Sequence, residues 1–261
     1  MIDYPAEVLF NAPVTHDTWM VGIKHPELAA AIRPGQFLMI RVRSSMDPLL
    51  RRPFSVCGVE RDHVKVLYRI VGKGTKIMTT AKPGENLQVL GPLGKAFVPP
   101  EGNQLPVLVG GGIGVAPLLF LAQSLRTRRL DFMMGFRSAR DIIRLEGVRP
   151  QNHGWSVSTD DGTEGHAGFV TDLLRLALKK NEGLALSVFA CGPRPMLKQV
   201  AEAATAHGVP CQVSLEAAMA CGFGVCQGCA VKASPGEAGE YRYVCRDGPA
   251  FPVHAIDWKS F

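Results

Sequence analysis

The amino-terminal stretch MIDYPAEVLFNAPV lacks the basic start and the apolar run that together define a signal peptide. This absence predicts a cytoplasmic protein. The 261 residues also lack internal repeats and low-complexity segments, and their 46% hydrophobic and 20% charged residues are typical of globular chains. A secreted, repetitive or disordered protein is therefore not expected.

Long runs of one charge are missing too. The net charge of +6 is spread along the chain without a basic stripe interleaved with aromatics, which argues against nucleic-acid binding. One stretch of 24 residues, Gly102–Leu125, carries no charge and has the length of a membrane span. Two prolines and the glycines between 110 and 114 divide it, so we expect a short strand, a turn and a helix there.

The pattern of residues changes twice along the chain. Residues 1–100 alternate short β-rich runs with turns such as RPGQ, AKPGEN and GPLG, which predicts a small antiparallel barrel or sandwich. Residues 101–210 alternate strands with helices, which predicts a doubly wound parallel sheet covered by helices. Residues 211–261 are rich in cysteine and glycine and too short to bury much core. We therefore predict three domains with these boundaries.

Four cysteines in the third segment have the spacing C-x4-C-x2-C-x15-C. They are Cys221, Cys226, Cys229 and Cys245. The first three match the plant-type ferredoxin spacing, in which four thiolates hold a [2Fe–2S] cluster. The glycines between them, Gly222, Gly224 and Gly228, suit a loop that must turn sharply around a cluster. This is the most specific signal in the sequence.

Other interpretations of the cysteines stay open at this stage. A structural zinc site also takes four cysteines, although such sites usually show two C-x2-C pairs and this sequence has one. Unligated thiols are a further alternative. The remaining cysteines, Cys57, Cys191 and Cys211, fall in predicted strands or at their ends, and we interpret them as small buried hydrophobes.

Two short motifs in the first segment suit an anionic cofactor. RRPFSV places Arg52 three positions before Ser55, and GKGTK follows about twenty residues later. An arginine neutralises a pyrophosphate, and Gly74 and Thr75 offer N–H and hydroxyl donors to the same anion. The alternative for RRPFS is the exposed start of an edge strand.

Glycines at a strand-to-helix junction mark the second segment. In VLVGGGIGVAPLL they stand where free N–H groups and a helix dipole meet a phosphate. The dinucleotide fingerprint G-x-G-x-x-G fails here because Pro117 replaces its third glycine, so a tight turn without ligand remains possible. The later VFACGPRPM also ends a predicted strand, at the edge where open α/β sheets bind ligands. Arg137 and Arg140 follow the second strand, where an arginine suits a 2′-phosphate.

The motifs RPFS, GKGT, GPLG, GGGIGVAPL, CGPRPM and CGFGVCQGC occur in this order. This arrangement resembles the ferredoxin-reductase-like flavoproteins and, more closely, the electron transfer subunits of NAD-dependent dihydroorotate dehydrogenase. The resemblance covers nearly the whole chain, including STDDGTEGHAGFVTDLL and CRDGPAFP.

The resemblance implies three sets of binding residues. FAD would be bound by Arg52, Pro53, Phe54, Ser55, Leu67, Tyr68, Arg69, Ile70, Gly74 and Thr75. The nicotinamide nucleotide would lie between residues 110–114 and 191–193, against Gly111, Gly112, Gly114, Cys191, Gly192 and Pro193. The [2Fe–2S] cluster would be held by Cys221, Cys226, Cys229 and Cys245.

A function follows from the resemblance. NADH exchanges two electrons as hydride, an iron–sulfur cluster takes one at a time, and a flavin does both. The expected partner is an FMN-containing subunit that oxidises dihydroorotate, in a complex with two copies of each chain, and this chain would return the electrons to NAD+. The same architecture could instead serve a sulfhydrogenase or a ferredoxin–NADP oxidoreductase. A zinc-stabilised, non-catalytic interaction protein is the alternative from another class.

Overall fold

The strands between Ile2 and Leu93 form a closed six-stranded antiparallel barrel in the computed structural model, which describes residues 2–125, 129–144 and 154–260. The strands are β1 Ile2–Pro13, β2 Thr18–Lys24, β3 Phe37–Arg41, β4 Arg52–Glu60, β5 His63–Arg69 and β6 Asn86–Leu93. They follow the order β1-β2-β5-β4-β3-β6 around the barrel. Two short helices, α1 Pro26–Ala31 and α2 Lys73–Met78, complete this part.

The interior of the barrel follows from alternation along its strands. In β6, every second residue from Leu87 to Leu93 is buried, and its neighbours are more exposed. The branched side chains of Val8, Val21, Val56 and Val66 fill the centre of the same cluster. The barrel predicted from the short β-rich runs is confirmed.

The second half contains a parallel sheet with the order β10-β9-β8-β7-β11-β12. Its strands are β7 Leu105–Gly111, β8 Asp131–Phe136, β9 Gly154–Thr159, β10 His166–Ala167, β11 Leu186–Cys191 and β12 Cys211–Ser214. Because β8 lies on one side of β7 and β11 on the other, the strand order reverses between β7 and β11. Open α/β sheets bind ligands at such a switch point.

Helices cover both faces of this sheet, as predicted. They are α3 Val115–Ser124, α4 Val170–Lys180 and α5 Arg194–Ala206. Helices α4 and α5 pack on one face against Val107, Val109 and Val188, whereas α3 packs on the other against Leu108 and Phe189. Eight of the ten residues of α3 are buried, which explains why this helix carries no charge.

Helix α3 joins the sheet to the barrel. Its Phe120 belongs to the barrel core. The Gln123 amide donates to the Val59 carbonyl at 2.8 Å and accepts from the Val59 N–H at 3.2 Å. A side chain at Gly58 would collide with this amide, since a Cβ there would lie 2.9 Å from Gln123 Oε1. The backbone of β4 is thereby fixed relative to the sheet.

The carboxyl-terminal segment adds β13 Ala230–Lys232, β14 Tyr241–Tyr243, α6 Val244–Asp247 and β15 Ala250–Pro252. Strand β15 pairs antiparallel with β12 at the edge of the large sheet. Parts of residues 211–261 therefore continue the sheet, and the division at 100 and 210 stays a prediction. Among the described residues, no helix is long and apolar enough to cross a membrane.

Candidate functional site

A cleft of about 1300 Å³ opens between the barrel and the carboxyl ends of the parallel strands. The sequence-predicted residues that line it are Arg69, Ile70, Gly111, Gly112 and Pro193, and Arg137 and Arg140 lie on its wall. The predicted flavin strand β5 and the predicted nucleotide loops therefore face one space. A cleft of this size at a switch point suits a dinucleotide.

The floor of the cleft is made where the loop after β7 packs against the loop after β11. A Cβ at Gly114 would lie 2.7 Å from the backbone nitrogen of Gly192, and closer still to the Cys191 carbonyl oxygen. Cys191 is buried, and burial, followed by the charge of Glu216, raises its thiol pKa. Gly114, Cys191 and Gly192 thus shape the floor, while Gly111, Gly112 and Pro193 line it.

The close approach at Gly114 makes a prediction. We expect Gly114→Ala to lose about 1–3 kcal/mol of stability, because the added methyl group forces the two loops apart. Gly72→Ala is the matched control, since a Cβ there meets nothing within 4 Å. Thermal unfolding followed by circular dichroism should show a lower Tm for Gly114→Ala alone. Equal unfolding of the two variants would contradict this packing.

The predicted flavin residues surround an opening between two barrel strands. Strands β4 and β5 pair from Glu60 opposite His63 as far as Val56 opposite Val66. Beyond that point, residues 52–55 pair with β3, and residues 67–69 pair with β2. Among the described residues, no strand pairs with the edge of β4 at 52–55 or the edge of β5 at 67–69 where these two edges face each other. Their N–H and C=O groups can therefore hydrogen-bond a flat polar ring. This opening fits a flavin.

Arg52 and the loop 71–75 adjoin this opening. The Arg52 side chain packs on Gly74 so closely that a Cβ there would lie 2.6 Å from the arginine Nε. The Thr75 hydroxyl accepts from the N–H groups of Val71 and Gly72 at 3.0 and 3.2 Å and donates to the Gly72 carbonyl at 3.1 Å. Contrary to the sequence-based expectation, this hydroxyl is committed within the loop. The first turn of α2 still offers N–H groups to an anion.

The other predicted flavin residues divide into buried and accessible ones. Phe54 and Tyr68 are buried in the barrel with their rings edge to face at 6.0 Å, and Leu67 is buried against α3. The Tyr68 hydroxyl donates to Asn11 Oδ1 at 2.8 Å, and burial raises its pKa to about 12. A flavin would meet these three residues through their backbone. Pro53 and Arg69 are exposed, and Ser55 is partly exposed.

The four clustered cysteines form two adjoining pairs. Cys229 Sγ lies 3.2 Å from Cys245 Sγ, and both residues are buried. The Cys226 N–H donates to Cys221 Sγ at 3.5 Å, and Cys226 is exposed. Across residues 2–125, 129–144 and 154–260, no three His, Cys, Asp or Glu side chains form a group for a single metal ion. Two pairs of thiols are the donor set that two irons require.

Backbone N–H groups stabilise the thiolate form of Cys221, and a thiolate is the form that binds a metal cation. Burial opposes ionisation of Cys221, but N–H groups of Cys226, Phe223 and Val225 outweigh it, so its pKa falls to about 6. For Cys245, burial and the neighbouring Cys229 thiol raise the pKa to about 12. Bound iron would deprotonate such a thiol outright.

Two glycines permit the turns of the cysteine loop. Gly222 and Gly224 have φ of +86° and +91°, which side chains disfavour. Gly228 does not have a positive φ, and Gln227 has one of +57° instead, so the expectation for Gly228 was wrong. A Cβ at Gly222 would lie 2.5 Å from Met39 Cγ. The loop therefore packs directly on barrel strand β3.

The three remaining cysteines are buried, as predicted. Burial raises the pKa of Cys57 and of Cys211 to about 12. Since the thiolate is the nucleophile, these thiols should be inert.

A labelling experiment follows from this difference. In native protein with iron bound, we expect iodoacetamide to modify none of the seven cysteines. After iron removal by chelation, Cys221 and Cys226 should react first, because they are the accessible pair and the Cys221 pKa is about 6. Peptide mass spectrometry identifies the modified sites. Early labelling of Cys57, Cys191 or Cys211 would contradict the assignment.

Several residues of the cleft were not among the binding residues predicted from the sequence. They are His16, Asp17 and Thr18 on the barrel side, and Asp160, Asp161, Phe169, Thr171 and Gln199 on the sheet side. The barrel-side residues come from a hairpin whose pattern indicates only a turn. Asp160 could have been found, because it directly follows a strand of the parallel sheet.

Known proteins resemble this chain in its cysteine segment and in its fold. A family model described as the iron-sulfur cluster binding domain of dihydroorotate dehydrogenase B matches residues 216–257, which contain all four clustered cysteines. A solved structure of an NADH-dependent reduced ferredoxin-NADP oxidoreductase has a TM-score of 0.84 at 28% identity, covering 98% of this chain and 91% of that one. A ferredoxin reductase in carbazole 1,9a-dioxygenase shares the fold at 23% identity, with a TM-score of 0.67 over 80% of this chain and 67% of that one.

Relatives match the chain over nearly its full length. A protein of Aquifex aeolicus (strain VF5), named "Dihydroorotate dehydrogenase B (NAD(+)), electron transfer subunit homolog", is 37% identical and covers 96% of this chain and 97% of its own. The electron transfer subunit of Desulforamulus reducens is 34% identical and covers 98% of both chains. These matches confirm the ordered motifs as a family signature. The chain belongs to the family of dihydroorotate dehydrogenase B electron transfer subunits.

Proposed function

We propose that this chain carries electrons between a partner subunit that oxidises dihydroorotate and NAD+, and that it contributes no dihydroorotate site itself. The proposal rests on one arrangement. Gly222 of the cysteine loop packs on Met39, and Met39 pairs with Pro53 of the RPFS stretch. The flavin opening and the cysteine loop are thus separated by one strand, and the cleft for the nucleotide adjoins the same opening.

The proposed binding residues act at three places. Arg52 with the N–H groups around Gly74 and Thr75 would neutralise the pyrophosphate of FAD, and the facing edges 52–55 and 67–69, with the adjoining Ile70, would hold its ring. Gly111, Gly112 and Pro193 would contact the nicotinamide nucleotide above the floor formed by Gly114, Cys191 and Gly192. Cys221, Cys226, Cys229 and Cys245 would hold the [2Fe–2S] cluster.

The cofactors define the chemistry: bound FAD exchanges hydride with the nicotinamide and single electrons with the cluster. The residues of the chain would then hold each cofactor and keep the distances for electron transfer between the cofactors short. Phe223 and Val225 are exposed on either side of Gly224 in the cysteine loop, with 40% and 72% of their surface accessible. An apolar rim around a redox group suits contact with another protein.

The assembly belongs to the same proposal. Residues 1–100 would serve as the flavin unit, 101–210 as the nucleotide unit and 211–261 as the cluster unit, with two copies of this chain and two of an FMN-containing subunit in the complex. We place the complex in the cytoplasm, where thiols remain reduced and available to iron.

Reconstitution tests the function. The chain mixed with the FMN-containing subunit should convert dihydroorotate and NAD+ into orotate, NADH and a proton. This chain alone should oxidise NADH with an artificial acceptor but leave dihydroorotate unchanged. The mass of the complex by light scattering tests the two-to-two composition. Dihydroorotate oxidation by the isolated chain, or no coupling in the mixture, would refute the proposal.

A second function is favoured by one observation. The ferredoxin-NADP oxidoreductase structure matches 98% of this chain at 28% identity. A chain of this design could therefore serve an oxidoreductase that uses reduced ferredoxin. Copurification of the native complex separates the two functions, because only the first requires a partner that oxidises dihydroorotate. The identities of 34% and 37% with the dihydroorotate dehydrogenase relatives favour the first.

A further inference from the structure

A pair of opposite charges lies immediately beyond the last cysteine of the cysteine segment. Arg246 and Asp247 directly follow Cys245 in α6. The Arg246 Nε donates to Asp247 Oδ1 at 3.0 Å, and its Nη2 donates to Asp247 Oδ2 at 3.2 Å, so the guanidinium grips both carboxylate oxygens. The Asp247 side chain is 20% exposed and the Arg246 side chain is 56% exposed. The pair is therefore anchored at its carboxylate and open to solvent at its cation.

Three contacts hold this pair against the cysteine segment. The stem of Arg246 packs on Gly224, where an added Cβ would lie 3.0 Å from Arg246 Cδ and 3.2 Å from Arg246 Cβ. The guanidinium carbon of Arg246 lies 4.9 Å from the centre of the Tyr243 ring. The Tyr243 N–H donates to Asp247 Oδ2 at 2.8 Å. These contacts fix both charges between the cysteine loop and the end of β14.

A fixed charge beside an iron–sulfur cluster changes how readily that cluster accepts an electron. Cluster potentials depend on charge, on hydrogen bonds to the sulfurs and on exposure. Each electron adds one negative charge, so a nearby cation favours the reduced cluster and a nearby carboxylate disfavours it. Arg246 and Asp247 carry opposite charges in the two positions after a cysteine of the cluster set. Their effects on a cluster held there should therefore oppose each other.

We propose that Arg246 and Asp247 set the reduction potential of the [2Fe–2S] cluster by balancing their charges beside Cys245. This inference rests on the proposed function, since it concerns the cluster that the same four cysteines would hold. The balance suits a carrier that must both accept and release single electrons. The cation alone would hold an electron on the cluster, and the carboxylate alone would oppose the entry of an electron.

Four variants of the chain, loaded with FAD and cluster, test the balance. Arg246→Gln removes the cation, and Arg246→Lys keeps the charge without the planar fork of donors. Asp247→Asn removes the carboxylate charge and keeps an oxygen that accepts from the Tyr243 N–H. Arg175→Gln is the matched control. Arg175 forms an ion pair of the same 3.0 Å with Asp172 on α4, and its side chain is 49% exposed.

A redox titration followed by electron paramagnetic resonance measures the cluster potential, and flavin absorbance in the same sample gives the FAD potential as a reference. At a fixed applied potential, Arg246→Gln should lower the ratio of reduced to oxidised cluster about three- to tenfold, and Asp247→Asn should raise it by a similar factor. A tenfold change corresponds to about 59 mV for a one-electron couple. Arg246→Lys and Arg175→Gln should stay within about twofold of the native ratio, because the first keeps the charge and the second removes a charge that solvent and salt screen.

The outcomes separate tuning of the cluster from a purely structural role. Shifts of Arg246→Gln and Asp247→Asn in the same direction, an unchanged potential in both, or iron loss from both Arg246 variants would overturn the inference. If Asp247→Asn alone loses iron, the two Arg246 variants still decide, because only the glutamine variant should shift the potential. A native chain without iron and labile sulfide would refute the proposed function and this inference together. A native cluster whose potential ignores these charges would refute this inference alone.

Discussion

Replacing Cys226 by serine is expected to lower NADH formation coupled to dihydroorotate oxidation at least about a hundredfold, since even partners behind metal ligands contribute tenfold or more. NADH oxidation by the isolated chain with an artificial acceptor should continue, because Arg52, Gly74 and the cleft lie in other parts of the chain. The absorbance of the cluster and the labile sulfide should fall together. The assay uses the reconstituted complex, with iron and FAD measured in the same sample.

A control for this substitution lies in the same segment. Cys211 is buried in β12, 10 residues before the first cluster cysteine, and belongs to the core of the sheet. Cys211→Ala should therefore keep iron, sulfide and coupling. If Cys226→Ser retains full coupling, then electrons do not leave through this loop. If both variants lose iron equally, the segment is unstable rather than specifically ligating.

The sequence was sufficient for the parts of the fold that local patterns determine. Alternating strands and helices after residue 101 predicted the sheet, because the central strands β7 and β11 are apolar along almost their whole length and α4 and α5 each show one apolar side. The spacing of the four cysteines predicted one shared site, and the structure brings them together as two pairs, Cys229 with Cys245 and Cys226 with Cys221. The order of the motifs predicted the family. These signals depend on neighbours in the chain.

Features that depend on distant residues were not predictable. Strand β15 is three residues long and joins β12 from a segment that begins 36 residues after Ser214, so no periodicity marks it. The bond of Thr75 within its own loop depends on how the chain turns at Val71 and Gly72. The Asp161 carboxylate accepts from the Thr163 N–H and hydroxyl, which depends on how the chain turns after β9. Geometry decided each of these cases.

The second large effect is expected at Arg52. Arg52→Gln should weaken FAD binding about ten- to hundredfold, because charge-assisted hydrogen bonds to a pyrophosphate are among the strongest that proteins form. Fluorescence quenching of FAD, titrated with flavin-free protein, measures the dissociation constant. Arg52→Lys should recover part of the affinity, since lysine keeps the charge but lacks the planar fork of donors.

The neighbouring arginine separates a specific role from general charge. Arg51 bonds with Asp3 at 2.5 Å and donates to the Gln88 carbonyl at 3.3 Å, so it serves the barrel wall. Arg51→Gln removes the same charge one residue away and should leave the FAD affinity within about threefold, as expected for an arginine already paired on the surface. Iron content should stay constant in both variants, because the cysteine loop packs on β3 through Gly222 and Met39. Equal losses of FAD from both variants would mean that the overall positive charge beside the opening holds the flavin, and that Arg52 has no specific role.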